Sequence, residues 1–131
     1  MREILFRGKR IDNGKWIEGY YASFEQLQNS CIYYVYKGHT LVADVDPETV
    51  CQYTGLTDEN GRKIFEGDIL CNHYNELFPE DKTMSLIVWD GFGWGIKYRD
   101  VVDKLDDFDC RNGEVIGNIF DNSELIGGAE K

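Results

Sequence analysis

The stretch Val50-Cys51-Gln52-Tyr53-Thr54-Gly55-Leu56-Thr57-Asp58-Glu59-Asn60-Gly61-Arg62-Lys63-Ile64-Phe65-Glu66-Gly67-Asp68-Ile69-Leu70 decides how this chain is built. Short β-type runs lie on either side of Asp58-Glu59-Asn60-Gly61, a turn signal, so the stretch reads as strand, turn and strand. Gly55, Gly61 and Gly67 permit backbone angles that other residues resist. Asp68, beside the last of them, has a side chain suited to bonding backbone amides where a strand begins. The block is a folding signature.

Toward the N-terminus the same logic repeats. Phe6 to Ile11 and Lys15 to Tyr21 flank Asp12-Asn13-Gly14, which tolerates the positive φ angles of a tight hairpin turn. Trp16, Glu18 and Tyr20 then share one strand face. Ala22 to Ser30 is polar and reads as a loop or one helical turn. Cys31 to Tyr36 and Thr40 to Ala43 flank Lys37-Gly38-His39 as a second hairpin. Asp46-Pro47-Glu48 imposes extended or turn geometry, because proline fixes its own φ and disfavours helix in the residue before it.

Toward the C-terminus, Ile69 to Tyr74, Met84 to Trp89, Ile96 to Tyr98 and Glu114 to Phe120 read as strands, with a glycine-rich turn at Asp90 to Gly95. That order suits a small SH3-like barrel. Val101, Val102, Leu105 and Phe108 approach helical spacing and predict a short helix or loop over Asp100 to Asp109. Asn122 to Ile126 reads as a capped turn, and Gly127 to Lys131 as a frayed end. The expected fold is therefore all-β with minor α. Residues 1–60 form a β-hairpin region serving oligomerisation, and residues 61–131 an SH3-like barrel with a short C-terminal turn, in one compact unit.

Composition narrows the function. A chain of 131 residues with 42% hydrophobic content carries one modest core, and 14% aromatic content suits β surfaces and interfaces. Fourteen basic against 24 acidic residues give a net charge of −10, which works against direct binding to phosphate backbones. Self-repulsion and solubility are its direct physical meaning. No apolar run reaches signal-peptide or membrane-spanning length, so the expectation is a cytoplasmic protein with no membrane contact. Cys31, Cys51, Cys71 and Cys110 form no C-x-x-C pair and read as small buried hydrophobes.

The motifs with chemical potential are thin. Cys71 and His73 lie two apart on a strand, and two ligands do not close a zinc site. Asp44, Asp46 and Glu48, and again Asp106, Asp107 and Asp109, lack calcium-loop spacing. The first run reads as protection of a strand edge, the second as solvated charge. His39 and His73 are the only histidines, and no serine sits in a glycine-flanked elbow. Gly91-Phe92-Gly93-Trp94-Gly95 lacks the lysine and helix of a phosphate loop and reads as a tight turn with Phe92 and Trp94 packed on one face. No catalytic residue, metal site or cofactor is expected.

The pattern resembles the YopX family, small proteins encoded by bacteriophages and prophages, mostly of Gram-positive bacteria. The resemblance rests on Phe6-Arg7-Gly8-Lys9 and Trp16, Val45 to Val50, Gln52 to Leu56, Asp58 with Asn60-Gly61, and Ile64 to Ile69. It continues through Val88-Trp89-Asp90 and Glu114 to Asn122 before Glu124-Leu125. Cys51 stands where that pattern leads one to expect glycine, which questions a positive φ there. The resemblance implies a phage accessory protein, oligomeric, with no assigned catalytic residues.

The feature with functional potential is the aromatic set, since Trp and Tyr are favoured interface anchors. Trp16, Tyr20, Tyr53, Trp89 and Trp94 form the candidate interaction surface, with Trp94 at a turn expected to be the most exposed, and Tyr33 belongs to the wider aromatic set. The expected partner is a second copy of the chain, joined through strand edges, or a host or phage protein. Two alternatives stand beside it. One is an acidic inhibitor or polyanion mimic of a basic host protein. The other is a single-stranded nucleic-acid-binding barrel, in which Lys9, Arg10, Lys97 and Arg99 would cluster beside Trp94.

Overall fold

A computed structural model describes residues 4–24, 29–73 and 82–126. The chain divides into two compact units, Met1–Tyr53 and Thr54–Lys131. Both are antiparallel β structures, so the protein is all-β with one short helix.

The first unit contains β1 (Phe6–Lys9), β2 (Trp16–Phe24), β3 (Asn29–Tyr36), β4 (His39–Val45), a 3-10 turn at Pro47–Thr49 and the start of β5 (Cys51–Thr57). Their order is β4-β3-β2-β1-β5. The first hairpin turn is held as its sequence predicts: Gly14 has φ +71°, Asn13 Oδ1 accepts from the Lys15 amide, and Arg10 pairs with Asp12 at 2.7 Å. Lys37 and Gly38, both at positive φ, form the second turn, which sets Tyr36 opposite His39. Of Ala22 to Ser30, expected to be a loop or one helical turn, Ala22 to Phe24 continue β2 and Asn29-Ser30 open β3, while residues 25–28 lie outside the described residues.

This sheet curls back on itself. Val45 bridges to Arg10, the Ile11 amide donates to the Asp44 carbonyl, and the Asp46 amide donates to that of Lys9. Such curvature needs backbone to approach backbone. At Gly19 a Cβ would overlap the Tyr33 carbonyl, and at Gly8 it would press on Val45. The buried hydrophobic side chains of β3 and β4 are correspondingly compact: Cys31, Ile32, Ala43 and Val45, with Cys51 and Tyr53 buried on β5. Asp46, extended as the residue before proline must be, caps the 3-10 turn by accepting from the Glu48 amide.

The second unit holds the rest of β5, then β6 (Lys63–Phe65), β7 (Asp68–His73), β8 (Lys82–Trp89), β9 (Trp94–Tyr98), β10 (Val101–Lys104), α1 (Asp107–Arg111), β11 (Gly113–Asn118) and a 3-10 turn at Ser123–Ile126. β6 lies beside β5, and the other five strands run in the order β10-β9-β8-β7-β11. The expected SH3-like barrel is corrected here: among the described residues β10 and β11 remain separate edges, and the sheet is open rather than closed. Its core is aliphatic, built from Ile64, Leu70, Ile87, Ile96, Leu105, Cys110 and Val115, with Leu56 and Trp94 packed against it.

The expected helix or loop over Asp100 to Asp109 is half corrected. A two-residue turn at Arg99-Asp100 sets Val101 opposite Tyr98, so the β-branched pair Val101-Val102 continues as a strand. Only Asp107–Arg111 is helical, capped by Asp106 accepting from the Asp109 amide. The predicted strand residue Tyr74 and the segment Gly127 to Lys131 lie outside the described residues.

Candidate functional site

The first unit's sheet presents an apolar face to solvent. Register places Tyr20 on β2 directly opposite Tyr33 on β3, and Tyr33 directly opposite Val42 on β4. Directly opposed residues point to the same side of a sheet and touch. Tyr20 is 70% exposed and Val42 53%, with Tyr33 half-buried between them. Val35, two residues along from Tyr33 on the same face, is 72% exposed. The opposite side carries Ile32 and Ala43, both buried.

The edge beside this face is open. Among the described residues nothing pairs with the outer side of β4 from His39 to Ala43, a segment that carries no Asp, Glu, Lys or Arg. β10, an edge of the second unit, differs: its last two residues are Asp103 and Lys104.

The expected surface residues do not form one patch. Trp16 lies beneath the Arg7 guanidinium at 4.6 Å and the Lys9 ammonium at 5.5 Å, half-buried as the apolar side of two cation–π contacts. Tyr20 belongs to the exposed stripe. Tyr53 is only 7% exposed, which withdraws it from a solvent-facing surface. Trp89 and Trp94 are register partners stacked edge to face at 4.9 Å. The expectation that Trp94 would be the most exposed is corrected: β9 points it to the same side as Ile96, so it packs on the core, and its indole N–H meets no acceptor among the described residues. Trp89 is half exposed, and Phe92, expected to pack with Trp94, stands free at the turn. Asp90 shapes that turn by accepting from the Phe92 and Gly93 amides, which also holds its carboxyl below the usual carboxylate range.

Val35 and Val42 were missed from sequence because the length of the second turn was left unsettled. A two-residue turn at Lys37-Gly38 fixes Tyr33 opposite Val42, and the stripe follows from period-2 alternation.

The buried carboxylates are tied to backbone. Asp58 is buried, and it accepts from the amides of Asn60, Arg62 and Val115, all at 2.9 Å. Asp68 accepts from the Phe65 amide at 2.8 Å, the role its sequence position suggests. Gly55, Gly61 and Gly67 have φ of +88°, +78° and +83°, whereas Cys51 does not adopt a positive φ. Asp44 accepts from the Cys31 thiol, and Asp107 pairs with Arg111 one helical turn away.

All four thiols are free and buried. Burial raises Cys31, with help from the Asp44 hydrogen bond, and raises Cys71; burial with neighbouring carboxylates pushes Cys110 up to about 12. Thiols so raised stay protonated at neutral pH, the opposite of an activated nucleophile. The Cys71 sulfur lies 3.8 Å from His73 Nε2, and among the described residues no group of three or more candidate ligands gathers to hold a metal. No helix among those residues is long and apolar enough to cross a membrane.

Fold and surface together define a small antiparallel β protein whose interior polar groups brace its loops and whose distinctive exposed feature is apolar. Residues 5–127 match the family described as YopX protein, and the chain belongs to that family. No match is found among curated proteins. Among solved structures the chain is similar to protein EF1440 from Enterococcus faecalis, at 21% identity and a TM-score of 0.63, over 96% of this chain and 99% of that one. That likeness is one of fold.

Proposed function

We propose that this is a phage or prophage accessory protein, without catalysis, that works by protein contact and associates with a second copy of itself through β4. The observation that carries the reading is the exposed stripe of Tyr20, Tyr33, Val35 and Val42 beside an open strand edge that bears no charge from His39 to Ala43. Uncharged open edges invite pairing with another strand, and proteins that remain apart blunt such edges with lysine, glutamate or proline. Two copies meeting edge to edge would pair the outer backbone groups of β4 and bring two stripes onto one continuous face. The family resemblance supports the phage setting. The structural duties of Asp58, Asp68 and the raised thiols support a role without chemistry.

Light-scattering chromatography at micromolar concentration tests it. The expected result is a dimer or higher assembly that dissociates when Val42→Lys places a charge on the edge strand, with the circular dichroism spectrum unchanged. A monomer in the unaltered protein, across the micromolar range, sinks the reading.

A further inference from the structure

The second unit contains a cavity of about 310 Å³ lined by Lys82, Met84, Leu86, Lys97, Tyr98, Arg99, Leu125 and Ile126. Lys82, Met84 and Leu86 alternate along β8 on the side opposite the core residues Ser85 and Ile87. Lys97 on β9 is the direct partner of Leu86 and shares that side. Leu125 and Ile126 come from the C-terminal 3-10 turn. Among the described residues the lining therefore combines an apolar floor, one phenol ring and three cations, with no carboxylate.

That composition runs against the chain. With 24 acidic residues for 14 basic ones, a basic group ordinarily meets a carboxylate, yet here three cations share one cavity with none among the described residues. None of the three forms an ion pair among the described residues; Arg99 instead lies over the Tyr98 ring at 5.3 Å. Like charges gathered without a counter-charge repel, and the arrangement is relieved when an anion enters. Arg99 also holds φ +55° at the tip of the β9–β10 hairpin, a conformation that glycine adopts freely and arginine resists.

We propose that this cavity binds a small organic anion with an apolar body, its carboxylate or phosphate held by Lys97, Arg99 and Lys82 and its body seated on Met84, Leu86, Leu125 and Ile126. Arginine offers a planar fork suited to either anion, and the apolar floor adds the burial that an inorganic ion cannot use. This site is independent of the β4 edge, so either can fail without the other.

Amide-resolved NMR titrations with phenyl phosphate and indole-3-acetate test the proposal and separate the two head groups. Inorganic phosphate and benzyl alcohol serve as half-ligands. At least one aromatic anion is expected to saturate, with shifts centred on Lys97, Arg99 and Leu125, at least about ten-fold tighter than either half-ligand and weaker at high salt. Arg99→Gly, which suits the positive φ and so preserves the fold, is expected to weaken binding about ten-fold, as is Lys97→Met. No saturation by either anion up to about 10 mM, shifts centred elsewhere, or affinity unmoved in both variants overturns the proposal.

Discussion

The two units reach stability by different routes. In the first, glycines let strands come so close that compact side chains fill most of the space: Gly8 and Gly19 face Val45 and Tyr33, Cys31, Ile32, Ala43 and Val45 are buried on β3 and β4 with Cys51 and Tyr53 on β5, and several large side chains remain outside. In the second, seven aliphatic and thiol side chains fill one interior, while buried carboxylates fasten the connecting loops. The second unit nevertheless leaves Trp89, Phe92, Val101 and Phe108 half or more exposed, set at the β8–β9 turn, on the edge strand β10 and on α1. The first unit's Tyr20, Tyr33 and Val42 instead lie side by side across three paired strands, the stripe on which the proposed self-association rests.

The sharpest way to break this comparison is Gly19→Ala. The added methyl would overlap the Tyr33 carbonyl, and a backbone obstacle yields only if strands separate. A loss of about 3 kcal/mol is expected, at the upper end of overpacking costs. Hydrogen exchange should show faster opening at Ile32 and Val45, with Leu70 and Ile87 little changed. Equal acceleration in both sets would mean that the units do not open separately.

Asp58→Ala probes the other route. It removes the acceptor for three amides, including that of Val115 in β11, and a loss of about 2 kcal/mol is expected in urea unfolding. Here the exchange of Leu70 and Val115 should quicken while Ile32 stays protected. An effect below about 0.5 kcal/mol would show that water replaces the carboxylate and that the loop needs no fastening.

The remaining effect, absent at neutral pH, concerns Cys110, whose thiol is raised to about 12 in the folded chain by burial and nearby carboxylates. The unfolded thiol ionises near 8.5, so its contribution is fully present below that pH and is lost as pH climbs toward about 12. Stability measured between about pH 9 and 11 should fall more steeply in the native sequence than in Cys110→Ala. Parallel slopes would show that the thiol ionises as easily inside as outside.

Much of the fold was legible because its signals are local. Asn13-Gly14, Asp58 to Gly61, and Gly67-Asp68 each prescribe backbone geometry over a few residues, and each is found as read. What failed depends on contacts between distant positions. Val101 to Lys104 is a strand because β9 offers a partner across a two-residue turn, and nothing within Asp100 to Asp109 announces that neighbour. Whether the second sheet closes depends on how its last strands meet, which strand order along the chain does not settle. The surface residues divide in the same way. Tyr20 is exposed because its strand face is uncovered, while Tyr53 and Trp94, chemically just as suited to an interface, are claimed by packing.

The crossing at Gly19 reaches beyond this one chain. With no space for even a single carbon at that point, drift during descent is barred there irrespective of the chemistry of the newcomer. A homologue bearing any other amino acid at the equivalent position must hold these two ribbons farther apart, and its neighbouring residues should have grown bulkier to fill the gap.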